Sequence, residues 1–262
     1  MNFVTPDGIR LAYQVDGPEN APTLVMVNSI GSNLHMWDAQ VERLSHALRI
    51  VRYDTRGHGA SDVPADPYTL EQLGLDLLAL LDTLHSEQAN ICGLSLGGIT
   101  ALEVAIAYPH RVARAVFANT AARIGTTESW NARIEAVQTG GMAAIRNTVV
   151  ARFLSTNFRQ QHPETTQRIG DMIEATNPTG YIGACAALRD ADLRTRIHEI
   201  RTPSLILGGA LDESTPPSQS HELHAIISES QLRIFDATAH LSNVERPDEF
   251  SEYVLSFLNG VS

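Results

Sequence analysis

The sequence predicts an α/β protein with a mostly parallel central sheet flanked by helices and interrupted by a helical lid. Short apolar runs bounded by turn residues alternate with amphipathic helical segments at both ends of the chain, a pattern typical of parallel strands joined by crossover helices. Residues 120–200 contain helical segments but no convincing strand. We therefore expect a core formed by residues 1–119 and 201–262, with residues 120–200 inserted in it as the lid.

The first part of the core opens with alternating apolar residues around Pro6-Asp7-Gly8, which predicts a β-hairpin over residues 2–16. The apolar run at residues 23–27 is bounded by turn residues and predicts a buried parallel strand. A helix is expected from Met36 to about Leu48. The elements after it are a strand at 50–54, a helix with a leucine repeat at 68–85, a strand leading to Ser95, a helix at 99–108 and a strand at 111–119.

The second part of the chain begins with the lid, where helical periodicity is found at residues 128–136, 142–154, 165–175 and 181–188. Alternation then resumes. The expected elements are a strand at 203–209, a helix at 218–227, a strand at 232–235 and a final helix at 247–258.

Composition excludes several classes of protein. The net charge is −11, all nineteen basic residues are arginines, and no basic run occurs, so we expect no nucleic-acid partner. No run approaches the ~18 apolar residues of a membrane span, which argues against membrane insertion. The N-terminus has no basic region followed by an apolar one, so we expect no signal peptide. The sequence contains only two cysteines, Cys92 and Cys185, which are too few for a disulfide framework. A reducing, cytoplasmic location is therefore expected.

The charge is distributed unevenly along the chain. Residues 120–196 carry a net +2, whereas the rest of the chain carries −13. Chance would explain this difference. A lid that tolerates an anionic substrate would explain it as well.

The motif Gly-x-Ser-x-Gly at Gly93, Ser95 and Gly97 is the centre of the predicted site. It lies between an apolar strand and a helix, which is the context of a nucleophile elbow. The turn is so sharp that the residues two positions from the serine must lack a Cβ. The alternative is a glycine-rich turn that carries an ordinary serine.

A nucleophilic serine needs a base, and the base needs a carboxylate to orient it. In proteins with a nucleophile elbow, the three residues occur along the chain in the order serine, then aspartate or glutamate, then histidine. Asp212 follows a late strand and His240 follows the last strand, so both are expected at the carboxyl edge of the sheet with Ser95. Asp236 is an alternative candidate for the carboxylate that orients His240. Because it ends a strand, we interpret it as a cap or turn residue.

His58 is a rival base that we assign a structural role. It belongs to a loop dense in glycines and charges, in which Asp54, Arg56 and Ser61 are expected to satisfy one another's hydrogen bonds.

Stabilisation of an oxyanion requires oriented N–H donors. The backbone N–H groups of Ile30, in the loop after the strand at 23–27, and of Leu96, directly after Ser95, are the candidates. An ordinary polar turn is the alternative for Ile30. No metal-ligand spacing, phosphate loop or dinucleotide fingerprint appears, so we expect neither a metal nor a cofactor.

With these motifs in place, the chain resembles the α/β-hydrolase fold over its full length, and within that superfamily it is most similar to the 3-oxoadipate enol-lactonases. The elbow and the Arg-Gly-His-Gly loop are widely shared among hydrolases. Two departures from the enol-lactonase pattern are Leu96, where methionine is common, and Phe153, where a lid tryptophan is expected. The resemblance rests on Asn28-Ser29-Ile30-Gly31, Met36-Trp37-Asp38, Arg52 to Gly59, Cys92-Gly93-Leu94-Ser95, Trp130-Asn131-Ala132-Arg133, Cys185 to Leu193 and Ala239 to Glu245.

The resemblance implies hydrolysis of 3-oxoadipate enol-lactone to 3-oxoadipate, a step in the β-ketoadipate pathway of aromatic catabolism. It also implies a small anionic lactone as the binding partner. Arg133 and Arg189 in the lid are the candidates for holding the substrate carboxylate, with Trp130 as an apolar wall. The oligomeric state stays open.

Other functions remain possible on this scaffold. A general carboxylesterase or a cofactor-free perhydrolase would keep the same three residues. A carbon–carbon hydrolase is disfavoured by the short lid, and a non-catalytic receptor would not need the full triad. Serine at position 95 disfavours an aspartate-nucleophile enzyme such as an epoxide hydrolase.

Overall fold

A computed structural model describes residues 1–260, and its eight strands form one sheet flanked by helices. The strands are β1 (Asn2–Val4), β2 (Arg10–Asp16), β3 (Thr23–Val27), β4 (Arg49–Tyr53), β5 (Ala89–Leu94), β6 (Val112–Ala118), β7 (Ser204–Gly209) and β8 (Ser230–Phe235). Their order across the sheet is β1-β2-β4-β3-β5-β6-β7-β8. Strands β3 to β8 pair in parallel, which confirms the predicted fold class.

The first two strands form the predicted hairpin. Phe3 pairs with Leu11 in an antiparallel register, and the N–H of Gly8 donates to Thr5 O across the turn at 2.9 Å. Strand β2 also pairs antiparallel with β4, so the hairpin joins the parallel sheet at its edge.

The helices alternate with the strands of the core and cluster between β6 and β7. They are α1 (Asp38–Leu44), α2 (Leu70–Thr83), α3 (Leu96–Ala107), α4 (Thr127–Gly140), α5 (Ala143–Phe153), α6 (Thr156–Gln161), α7 (Pro163–Glu174), α8 (Pro178–Asp190), α9 (Pro217–Ile226), α10 (Ser242–Glu245) and α11 (Pro247–Leu258). Within residues 1–260, no helix is long and apolar enough to cross a membrane.

Helix α2 begins where its sequence signals it. Thr69 accepts a hydrogen bond from the N–H of Gln72, and the Gln72 side chain accepts one from the N–H of Thr69, so both free donors of the first turn are satisfied. The leucine repeat is buried against α3 and the sheet. Burial of the repeat stabilises the helix more than intrinsic propensity does.

Helix α1 is shorter than predicted. It ends at Leu44, whose carbonyl accepts hydrogen bonds from the N–H groups of Ala47 and Leu48 in a tight turn. This turn leads directly into β4, so the apolar side chain of Leu48 is buried without belonging to the helix.

The chain between β6 and β7 contains the five helices α4 to α8, which we call the helical insertion (residues 127–190). Four of them were predicted, with ends that differ by one to four residues; α6 was not. Helix α4 packs on α5 and α8, and α5 packs on α7. The return to the core is fixed by a hydrogen bond from the N–H of Leu193 to Ala122 O at 2.8 Å. That this segment acts as a lid stays a prediction.

Parallel pairing places the carboxyl ends of β3, β5, β6, β7 and β8 at one edge of the sheet. In an open α/β sheet this edge is where ligands bind. The loops that follow these five strands carry the residues described next.

Candidate active site

Ser95 lies on a strained turn between β5 and α3. Its φ is +59°, in the region that residues with a Cβ rarely adopt. The N–H of Ser95 donates to Ala118 O at 3.0 Å, which ties the turn to β6.

The flanking glycines are required by close backbone contacts. A Cβ on Gly93 would lie 2.1 Å from the carbonyl oxygen of Gly97, and a Cβ on Gly97 would lie 2.1 Å from that of Val27. The spacing of the motif is therefore a steric consequence of the turn, and Ser95 is presented at the carboxyl edge of the sheet.

Asp212 and His240 form a buried pair at the same edge. Nδ1 of His240 lies 2.8 Å from Oδ2 of Asp212, and both residues are almost completely buried. The carboxylate accepts at Oδ2, so Nδ1 carries the proton and Nε2 is left as an acceptor.

The carboxylate of Asp212 has further donors around it. Oδ1 accepts from the N–H groups of Ser214 and Thr215, and Oδ2 accepts from the Thr215 hydroxyl at 2.8 Å. Burial alone would raise the pKa of Asp212. The attraction of the His240 ring in its protonated form, the hydrogen bond from that ring and the other donors outweigh burial and lower the pKa to about 2. The carboxylate is ionised at neutral pH and holds the imidazole in one orientation.

Asn119 connects the loops that carry these residues, and sequence reasoning missed it. Its Nδ2 donates to Oδ2 of Asp212 at 3.0 Å and to Ala239 O at 3.3 Å, and its Oδ1 accepts from the Ser242 hydroxyl at 2.5 Å. Asn119 directly follows β6, so its position at the carboxyl edge was the signal that could have identified it.

Ser95 and His240 line one cavity of about 640 Å³ between the sheet edge and the helical insertion. Most of its wall is apolar and comes from α4 and α5. The lining includes Ile30, Ile124, Trp130, Arg133, Ala136, Ile145, Thr148, Val149, Arg152, Phe153, Glu213 and Ser214. Phe153 packs against the imidazole of His240, with ring centroids 5.3 Å apart.

The two predicted N–H donors flank this cavity. Ile30 lines it, and Leu96 is the first residue of α3, where a backbone N–H has no partner within the helix. In the described residues, no hydrogen-bond acceptor is found for the N–H of Ile30 or Leu96, whereas the N–H of neighbouring Gly31 donates to His58 Nε2 at 3.0 Å. Both groups are thus available to a ligand at Ser95.

His58 holds the loop that contains Ile30. Its Nδ1 donates to Arg56 O at 3.1 Å while its Nε2 accepts from Gly31, so both ring nitrogens are engaged. Burial lowers the pKa of His58 to about 4, which keeps the ring neutral. The predicted structural role is confirmed.

The network expected around His58 is only partly present. Ser61 donates to Asp54 O at 2.6 Å, as predicted. Arg56 instead pairs with Asp76 of α2 and with Asp7 of the hairpin turn. No local pattern pointed to these two partners, because each is distant from Arg56 along the chain.

Two comparisons with known proteins fit this geometry. The sequence model of the α/β-hydrolase fold family matches residues 22–247. The chain belongs to the α/β-hydrolase family. Two similar proteins are 3-oxoadipate enol-lactonases 2 and 1 of Acinetobacter baylyi, 37% identical over 96% of this chain and 94% of that one, and 39% identical over 97% and 95%.

A solved structure agrees with these sequence relatives. The enol-lactonase from Burkholderia xenovorans LB400 matches this α/β hydrolase with a TM-score of 0.96 at 39% identity, covering 99% of this chain and 100% of that one. The resemblance seen in the sequence is confirmed, and the chain is a hydrolase of this family.

Two of the three predicted lid residues of this α/β hydrolase line the cavity. The indole N–H of Trp130 donates to Ile124 O at 2.6 Å, which fixes the ring in the wall. The Arg133 guanidinium lies over that ring, 5.4 Å from its centroid, and donates to the Tyr181 hydroxyl at 3.2 Å.

Arg189 is not brought to the cavity. Its guanidinium makes two hydrogen bonds to the adjacent carboxylate of Asp190, at 2.8 and 2.7 Å, and a longer one to Asn131. Arg189 follows the buried turns of α8 at the exposed end of the helix, which turns its side chain towards solvent. Arg189 is not among the residues that line the cavity, so its role in holding the substrate stays a prediction that this structure does not support. Arg152, which the sequence reasoning did not single out, lines the cavity instead.

Proposed function

We propose that this hydrolase opens the lactone ring of 3-oxoadipate enol-lactone to give 3-oxoadipate, using Ser95, His240 and Asp212 as its catalytic triad. One observation carries the proposal. Ser95 and His240, the latter bonded to Asp212, face the same cavity as the Arg133 guanidinium, which has no carboxylate partner in residues 1–260. The kinship with enol-lactonases supports the choice of substrate.

In the first step, Oγ of Ser95 attacks the lactone carbonyl carbon and Nε2 of His240 takes the hydroxyl proton. Asp212 stabilises the imidazolium that forms. The carbonyl oxygen becomes an oxyanion, which the N–H groups of Ile30 and Leu96 stabilise. These donors need little reorganisation because the turn at Ser95 and the contact of Gly31 with His58 already fix them.

Collapse of the tetrahedral intermediate breaks the bond between the carbonyl carbon and the ring oxygen. The ring oxygen departs as an enolate, receives the proton held by His240, and the enol becomes the ketone. An enolate is a better leaving group than an alkoxide. The product remains bound as an acyl ester of Ser95.

Water completes the reaction. His240 takes a proton from a water molecule, whose oxygen attacks the acyl-serine carbonyl, and the second tetrahedral intermediate is held by the same donors. Collapse returns the electron pair to Oγ of Ser95, which receives the proton from His240. The released 3-oxoadipate carries the new carboxylate.

The free carboxylate of the substrate is recognised at the wall formed by α4. Arg133 supplies the positive charge, and Trp130 supplies an apolar surface and holds the guanidinium by a cation–π contact. In a partly dry cavity, an ion pair of this kind is stronger than at an open surface.

The test follows the ultraviolet absorbance of the enol-lactone with the purified protein, beside p-nitrophenyl acetate. We expect fast loss of the lactone, much slower ester cleavage, and a loss of at least about 10³-fold in kcat for Ser95→Ala. Ser86→Ala, which changes a serine in the distant loop after α2, is the control and retains activity. Strong ester turnover with an unchanged lactone would assign the protein to the general carboxylesterases.

A further inference from the structure

Arg152 is a second cation on the wall of the active-site cavity. It lies on α5, next to Phe153, which packs on His240. The Arg152 side chain forms no ion pair and no hydrogen bond in the described part of the chain. Arg152 lines the cavity together with Arg133. Two guanidinium groups without a carboxylate partner therefore share one cavity.

Several other arginines of the helical insertion and its return are paired with carboxylates. Arg146 pairs with Asp171 and Glu174, and Arg189 pairs with Asp190. Beyond α8, Arg194 pairs with Asp192. Arg159 and Arg168 also form no ion pair within residues 1–260, but neither of them lines this cavity. Arg133 and Arg152 are the arginines that line it, and both lack a carboxylate partner within the same range.

The hydroxyl of Tyr181 is a buried neighbour of Arg133. This side chain is buried, and burial raises its pKa to about 12 against the opposing effect of both arginines. Arg133 also reaches the hydroxyl by a hydrogen bond. Like charges on the wall of one cavity repel each other, and an anion bound between Arg133 and Arg152 removes that repulsion.

The acidic group of the cavity lies on a different element. Glu213 belongs to the loop after β7, beside Asp212, whereas both arginines belong to the helical insertion. An anionic substrate is therefore repelled on the side of Glu213 and attracted on the side of α4 and α5. This asymmetry orients the charged end of a substrate towards the insertion while its carbonyl faces Ser95.

We propose that Arg152 acts with Arg133 to bind the free carboxylate of the substrate, so that this hydrolase selects anionic acyl substrates over neutral ones. The proposal rests on the function proposed above and adds a specificity residue to it. Arg152 replaces Arg189 as the second cation of the site.

The test compares two variants with the same change in charge, Arg152→Ala at the cavity and Arg189→Ala outside it. Each is assayed with the enol-lactone and with an ester pair, mono-p-nitrophenyl glutarate and p-nitrophenyl butyrate. We expect Arg152→Ala to lower the ratio of kcat/KM for the anionic ester to that for the neutral ester by about tenfold or more, chiefly through KM. Arg189→Ala should leave the ratio as in the unmodified protein.

The ester pair separates this proposal from the proposed function. If the unmodified protein does not open the lactone but Arg152→Ala lowers the ester ratio, the assigned substrate is wrong and the carboxylate site stands. If the lactone is opened and Arg152→Ala behaves like Arg189→Ala, the role of Arg152 is overturned. Calorimetric titration of adipate into the Ser95→Ala protein checks the result without turnover, because Arg152→Ala added to it should weaken binding about tenfold or more.

Discussion

Nδ2 of Asn119 lies 3.0 Å from Oδ2 of Asp212, the same carboxylate oxygen that faces Nδ1 of His240. The same amide reaches Ala239 O, and its oxygen accepts from Ser242, so one side chain joins the loops after β6, β7 and β8. Asn119 is fully buried and is not among the residues that line the cavity. It is a positioning residue that acts through Asp212 and His240.

Asn119→Ala should lower kcat by about 10- to 100-fold and change KM little, because the imidazole loses its fixed orientation while the cavity wall is unchanged. Asn119 has a φ of +42°, so alanine also adds backbone strain. Asn119→Gly removes the hydrogen bonds without that strain and serves as the second variant. Steady-state kinetics of the two decide the matter: recovery of kcat in the glycine variant would show that strain, not the hydrogen bonds, was responsible.

His58 should make the protein sensitive to mild acid. Its pKa is lowered by burial from 6.5 to about 4 in the folded protein, so between these values the unfolded chain binds more protons than the folded one. Stability is therefore complete above pH 6.5 and decreases as the pH falls towards 4, by roughly 3 kcal/mol from this group. Urea unfolding at pH 7 and at pH 4.5 measures the difference.

The matched variants for His58 are His58→Asn and His46→Asn. The first removes the buried imidazole, so we expect lower stability at pH 7 and a smaller loss between pH 7 and 4.5. The second changes an exposed histidine and should keep the pH dependence of the unmodified protein. An unchanged pH dependence in His58→Asn would assign the acid sensitivity to other groups.

The sequence predicted those parts of the molecule whose signals are local. The final helix begins at Pro247 and ends at Leu258 as expected, since proline favours the first turn and its apolar stripe is complete. Helices α6 and α10 were missed because they have only six and four residues, too few for a periodic pattern. Ser95 was identified by the Gly-x-Ser-x-Gly motif, and Asp212 and His240 by their positions directly after the last two strands.

Side-chain direction could not be predicted in the same way. Arg133 and Arg189 both lie on helices of the insertion, yet one lines the cavity and the other pairs with Asp190. That difference depends on how α4 and α8 pack in the folded protein, and this packing could not be predicted from the sequence. Asn119 was missed for a related reason, because its partners lie 93 and 123 positions further along the chain.

Gly97 should be irreplaceable at the elbow. A Cβ there would lie 2.1 Å from the carbonyl oxygen of Val27, a backbone atom of the central strand β3 that cannot move without displacing the loop of Ile30. Gly97→Ala should therefore lower kcat/KM by at least about 10²-fold and destabilise the fold by several kcal/mol, roughly 2–5. The contrast is Gly74→Ala in α2, whose added Cβ would meet only side-chain atoms, those of Val104 at 3.3 Å and of Glu103 at 3.8 Å. Because alanine favours a helix by about 1 kcal/mol over glycine, this variant should keep its activity and most of its stability. Thermal unfolding and lactone turnover of the two variants test the prediction, and an active, stable Gly97→Ala protein would mean that the strand and the elbow can separate without loss of the site.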